Sequence, residues 1–368
     1  MFQFTDELRE VDFFDHVRLL AVDHPASEEV YANEIYSSNP TSPLLYVVRD
    51  RHFPVSAVDD RGNDVLPLLR EVDQRYPADF RRHRILGLAD THSLTLDLGE
   101  VANASPLTLW LTGWVFWTDS NASRALMTSS QLQMIPPYLQ VRDEQGRWVT
   151  VIRDMGLPSG TQRTMRVDLT GKFLSADRHV RIVTNFCVYW DRAFFTTGDA
   201  PAPKALDLPL VSADLHYRGF STPVSDPVHI QPDWFDYSKV MAEAPWNPML
   251  GNYTRYGDTL KLVSAADDRL VVMATGDELT VKFDGRALPP LKPGWKRTFF
   301  LYTHGWAKDG EPNTAYSKTV TPLPFRDMSN YPYGPDERLG EGGEYQEYLR
   351  EYQTRPRYVL IPPLAPVQ

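Results

Sequence analysis

Leu107-Thr108-Leu109-Trp110-Leu111-Thr112-Gly113-Trp114 and Phe299-Phe300-Leu301-Tyr302-Thr303-His304-Gly305-Trp306 share one pattern: a hydrophobic strand that ends in Gly-Trp. Each follows a shorter strand of strict alternation, Leu94-Thr95-Leu96-Asp97-Leu98 before the first and Leu279-Thr280-Val281-Lys282-Phe283 before the second. Period-two alternation turns one face of a sheet toward a core and the other toward solvent. The repeated hairpin predicts an all-β chain of two antiparallel β-sandwich halves, jelly-roll or galactose-binding-like, with a few short helices. An old duplication would leave such a pattern.

Around this frame the turn chemistry divides the chain into four parts. Residues 1–87 string short strands together (Val17 to Val22, Leu44 to Val48, Val55 to Val58) with one short helix, because Leu66, Leu69, Val72 and Tyr76 recur at helical spacing behind Asp64, a capping residue. Residues 88–200 form the first sandwich; its Leu139 to Arg142 and Trp148 to Val151 make a hairpin across Gly146. Residues 201–255 hold so many prolines that they read as a surface strap, and their rings, Trp234, Tyr237 and Trp246 among them, are expected to lie against the sandwiches. Residues 256–368 form the second sandwich with a docked tail, in which Tyr345, Tyr348, Leu349 and Tyr352 share a helical face before a last strand at Tyr358 to Ile361.

At 368 residues, 42% hydrophobic and 23% charged, the chain suits two or three soluble domains. No apolar run approaches the roughly 20 residues of a membrane helix, so no membrane span is expected. The net charge of -10, from 48 acids against 38 bases, with no basic stripe, argues against nucleic acid. The single cysteine, Cys187, excludes an internal disulfide and reads as a small buried hydrophobe. The acidic start, Met1 to Glu7, lacks the features of a secretory signal, so the chain as given is expected to be cytoplasmic or a piece of something longer.

Catalytic signatures are absent: no nucleophile elbow, zinc-protease helix, P-loop or dinucleotide fingerprint is present. His24 and His304 read as structural, since neither has a visible partner set. Asp59, Asp60 and Asp64 surround Gly62 with oxygen donors. They are the candidate calcium ligands, although the spacing is not that of a twelve-residue calcium loop and a plain hairpin turn is the simpler reading. Asp119, Ser120 and Asn121 are a second oxygen cluster.

The remaining chemistry lies in nine tryptophans. Trp110 stands out of phase with Leu107, Leu109 and Leu111 and so points away from their core. With Trp117 and Trp246 it is the candidate contact surface, because a ring offers wide apolar area at low conformational cost. These features favour a non-catalytic binding or scaffolding protein for a protein partner or a glycan. The alternatives are a carbohydrate-active enzyme on the same sandwiches, with a facing pair of acids and calcium, and a structural subunit of a homo- or hetero-oligomer whose sheet edges pair between chains.

Several longer strings point to a family. Val17-Arg18-Leu19-Leu20-Ala21-Val22-Asp23-His24-Pro25, Gly146-Arg147-Trp148-Val149-Thr150-Val151-Ile152, Asp154-Met155-Gly156-Leu157-Pro158, Tyr253-Thr254-Arg255-Tyr256-Gly257-Asp258 and Tyr331-Pro332-Tyr333-Gly334-Pro335 are the main ones. Over essentially its whole length the chain resembles the C-terminal β-rich region of large bacterial proteins with FG-GAP/VCBS-type propeller repeats and an ASPIC/UnbV-type segment. The resemblance implies an exported, adhesive or scaffolding protein, and it implies no activity or functional residues. The chain itself carries neither the propeller repeats nor an export signal.

Overall fold

The computed structural model describes residues 1–36, 44–102, 106–158, 160–198, 202–224, 234–243, 246–337, 339–340 and 342–357. Strands hold 46% of the chain and helices 9%, in several antiparallel sheets with no barrel, so the fold is all-β and sandwich-type. The chain divides into two compact units: Val22–Ala205 with Leu291–Thr298, and Met1–Ala21 with Leu206–Pro290 and Phe299–Gln368. This division differs from the four consecutive segments read from the sequence. Phe2–Thr5 pairs with Asp277–Phe283, Phe2 opposite Val281, so the head of the chain completes a unit drawn mostly from its second half.

In the unit built on Val22–Ala205, one sheet runs in the order Ser56–Asp59, Leu88–Asp97, His179–Phe186, Tyr138–Arg142, Trp148–Ile152, and another in the order Arg163–Asp168, Leu107–Val115, Val188–Thr197. Leu88–Asp97 and Leu107–Val115 therefore do not form the expected hairpin; they lie in different sheets. Leu94, Leu96 and Leu98 meet Leu107, Leu109, Leu111, Leu139, Ile182 and Met165 in one core. Each leucine buried there contributes roughly 1.5–3 kcal/mol, and that burial drives two strands adjacent in sequence to face one another instead of sharing a ladder.

The other unit repeats this plan. Asp277–Phe283 lies between Phe2–Thr5 and Leu210–Tyr217, as Leu88–Asp97 lies between His179–Phe186 and Ser56–Asp59. Trp295–Asp309 pairs with Glu10–Pro25, as Leu107–Val115 pairs with Val188–Thr197. Leu210–Tyr217, part of the expected strap, is thus an inner strand. The strand itself contains no proline, and Pro209 stands immediately ahead of it. The cores differ in one respect. Phe299 and Leu301 are exposed where Leu107 and Leu109 are buried.

Both units carry the same buried carboxylate. Asp191, fully buried, accepts from the backbone of Asp73 and Gln74, each at 3.2 Å. Asp15, also fully buried, accepts from Asp267 at 3.0 Å and Asp268 at 2.9 Å. Gln74 and Asp268 each adopt φ of 64°, in the left-handed region that few non-glycine residues occupy. A helical turn stands before each device: Asp64 Oδ1 accepts from the Leu66 amide and Asp258 Oδ1 from the Leu260 amide, each at 3.0 Å. The helix expected from Val65 to Tyr76 is consequently a single 3-10 turn, Leu66–Leu69, because the chain must then bend left-handed to reach Asp191.

The expected tail helix is present as Gly343–Tyr352, with Tyr348 and Tyr352 buried and Tyr345 and Leu349 packed beside them. The strand expected at Tyr358 to Ile361 lies outside the described residues. Among the described residues, no helix is long and apolar enough to cross a membrane.

Candidate functional site

The described part of the Val22–Ala205 unit contains a cleft of about 480 Å³, within the range of roughly 300–1,000 Å³ typical of ligand pockets. Three pieces of chain build it. The turn after Ser56–Asp59 brings Asp59, Asp60, Asn63 and Asp64; the loop Tyr76-Pro77-Ala78-Asp79-Phe80 brings two rings and a carboxylate; the strands beneath bring His92, Ser93, Thr184 and Trp190.

Each wall is locally fixed. Asp59 Oδ1 accepts from the amides of Arg61 and Asn63 at 2.9 and 2.8 Å, and Oδ2 accepts from the Asn63 side chain at 2.8 Å. Burial works against its charge, but those donors outweigh it and hold the carboxyl below the ordinary carboxylate range. Asp79 pairs with Arg61 at 2.6 Å, an exposed contact of small energetic weight. The Phe80 ring stacks on His92, centroids 4.3 Å apart and planes at 19°, and leans on Tyr189 at 5.3 Å. Tyr76 meets Trp114 and Tyr189 edge-on; burial, then the Asp191 charge, raises its phenol above the ordinary value of 10.0 and keeps it a donor. His92 Nδ1 lies 2.9 Å from the Asp90 carbonyl, which can only accept, so Nδ1 carries the proton and Nε2 is left as an acceptor. Burial lowers the His92 pKa below 6.5 and so favours the neutral ring.

The arrangement sets rings on one side and carboxylate and amide oxygens on the other. Such a surface can stack on an apolar ligand face while accepting from its hydroxyls. Four aspartates against one arginine make it unfavourable for anions.

The sequence-derived residues are distributed differently. Trp110 does point away from the leucine core, but that face is covered: Tyr31, Tyr46, Val48 and Phe53 pack over it with Phe194, leaving it 3% exposed. It is a core residue and not a contact surface. Trp117 is exposed and stacks on Phe116, centroids 5.9 Å apart, and it does not line the cleft. Trp246 lies edge-on to Phe220 at 6.4 Å in the other unit, half-buried. Trp234 and Tyr237, expected to be covered, are 58% and 59% exposed.

Asp59, Asp60 and Asp64 do share a wall of the cleft, but the three candidate calcium ligands are not brought together. Their oxygens fail to converge within 4.8 Å, and both oxygens of Asp59 are engaged in its own turn. Asp119 caps the helix Ser120–Thr128. His24 is held between the Pro25 carbonyl and Thr298, and His304 between Asp15 and Trp306, so both have structural partners. Cys187 is buried, and burial pushes its thiol up to about 11.

Tyr76, Phe80 and His92 were not legible as a site. The signal available was the clustering of two rings and an aspartate around Pro77, since proline and rings in a loop between strands mark a surface segment held in place. No protein-family model matches the chain, and no curated protein matches it. Fold and site define a class: an all-β protein of two sandwich-type units, one of which carries a ring-and-carboxylate cleft.

Proposed function

We propose that this is a non-catalytic recognition protein that binds a neutral glycan in the cleft of its Val22–Ala205 unit. The observation that carries this reading is the placement of Tyr76, Phe80 and His92 beside the oxygens of Asp60, Asn63 and Asp64 in one cleft. Sugars present both an apolar ring face and a fringe of hydroxyl donors, and the cleft offers a partner for each. Its negative charge discriminates against uronic and sulfated sugars. A glycan array followed by calorimetry on the best neutral ligand tests this. Phe80→Ala is expected to weaken binding about ten-fold through loss of stacking, and Asp60→Asn by less. An array in which only acidic glycans bind, or an affinity unchanged in Phe80→Ala, contradicts the reading. Reducing ends followed in the same mixtures separate binding from hydrolysis.

One observation favours a second reading, protein binding. The paired strands Phe220–Val224 and Trp234–Met241 leave Trp234, Tyr237, Val240 and Met241 exposed. Rings and methionine are the residues enriched where proteins meet. Replacing Trp234 and Tyr237 by serine is expected to abolish capture of a partner from the native host while leaving the melting temperature unchanged. Capture that survives the double substitution contradicts this second reading.

A further inference from the structure

The turn between Phe2–Thr5 and Glu10–Pro25 carries Asp6, and the strand that follows carries Glu10 and Asp12. A carboxylate oxygen of each lies within 4.8 Å of those of the other two, the only group of three or more acids, histidines or cysteines so placed among the described residues. Strand geometry explains part of this: residues two apart share a face, so Glu10 and Asp12 project together. The Gly276 amide donates to the Asp6 carbonyl at 3.0 Å and anchors the turn beside them.

Asp6 is 1% exposed. Its Oδ1 accepts from the Leu8 amide at 3.3 Å, while Oδ2 is buried and accepts nothing from the described residues. A buried carboxylate oxygen without a partner is costly, and native structures rarely keep one without a reason. The neighbouring charges make the cost larger. Asp12, Glu10 and Asp277 act on Asp6, and Asp12 and Asp309 act on Glu10; all are acids. The fold itself does not require acids here. The matching turn of the other unit, Phe186-Cys187-Val188, carries none.

We propose that Asp6, Glu10 and Asp12 bind one calcium ion. A divalent cation would give Asp6 Oδ2 its missing partner and cancel the mutual repulsion in one step. The donors are all carboxylate oxygens with no histidine or cysteine among them, which selects a hard cation over zinc. Glu10 and Asp12 are only half-buried, so water can complete the shell of about 6–8 oxygens that calcium accepts in irregular geometry. Magnesium demands a near-ideal octahedron at about 2.0–2.1 Å, which three acids on a turn and a strand edge are poorly disposed to provide.

Full-length protein stripped with a chelator and titrated with calcium provides the test. Calorimetry is expected to show one site. At a calcium concentration of about a hundred times Kd, the melting temperature is expected to rise by about 5–10 °C. Glu10→Gln and Asp12→Asn keep the side-chain size and remove charge, so both metal-free variants should melt no lower than metal-free wild type and bind calcium at least ten-fold more weakly. The proposal is overturned by any of three results: no heat and no shift up to about 10 mM calcium, beyond the weakest extracellular calcium modules; binding undiminished in both variants; or magnesium or zinc bound in preference to calcium. Phe80→Ala, in the other unit, serves as a control and should leave the calcium response intact.

Discussion

Asp15→Ala and Asp191→Ala are each expected to destabilise the protein by about 3–5 kcal/mol in chemical denaturation. Each carboxylate accepts two consecutive backbone amides, and hydrogen bonds to a charged group are worth about 1.5–3 kcal/mol apiece. The bonds also hold Gln74 and Asp268 at φ of 64°, a conformation that costs about 1–3 kcal/mol for a residue other than glycine and persists only where neighbours impose it. A third contact adds to each: His304 Nδ1 lies 3.0 Å from Asp15 Oδ2, and the Gln162 amide reaches Asp191. Asn at either position keeps one acceptor oxygen and should lose about half as much. A loss below about 1 kcal/mol for both alanine variants would show that the turns hold themselves.

These carboxylates mark where sequence reading stopped. Asp191 stands 117 and 118 residues from the amides it binds, and Asp15 stands 252 and 253 from its own. Nothing local in Tyr189-Trp190-Asp191 or Phe13-Phe14-Asp15 distinguishes a buried aspartate from a strand-end one. The strands were legible, because alternation is a property of neighbours. Pairing was not, because alternation says which face is buried and not which sheet the strand joins. Trp110 shows the same boundary: its phase gave its direction correctly, but the roof over it comes from Tyr31, Tyr46, Val48 and Phe53, which periodicity on its own strand cannot reveal. The acids at 59, 60 and 64 were noticed for their oxygens, yet Asp59 spends its pair on its own turn. Asp6 was read only as part of an acidic start, Met1 to Glu7, and Glu10 and Asp12 were not singled out, since their convergence needs the turn at residues 6–9 to fold back.

Gly113→Ala and Gly305→Ala are expected to cost about 2–4 kcal/mol each, and here the shared Gly-Trp ending has a physical cause. A β-carbon on Gly113 would stand 2.4 Å from the Tyr189 carbonyl oxygen and 2.9 Å from the Trp190 ring. One on Gly305 would stand 2.0 Å from the Phe13 carbonyl oxygen and 3.1 Å from its carbonyl carbon. The obstacle is backbone of the paired strand, which can retreat only by opening the ladder. At Gly113 the ladder already slips between Trp190 and Arg192, next to this close approach. Neither glycine has a left-handed φ, so the loss would be steric and should grow with side-chain size from alanine to valine. Gly343→Ala is the control: a β-carbon there meets nothing within 4 Å at the start of the tail helix, so the change should be neutral or stabilising by up to about 1 kcal/mol. If Gly113→Ala destabilises and Gly305→Ala does not, the two endings share a spelling but not a close approach, and the correspondence between the units would rest on the strand order, the capped turns and the buried aspartates.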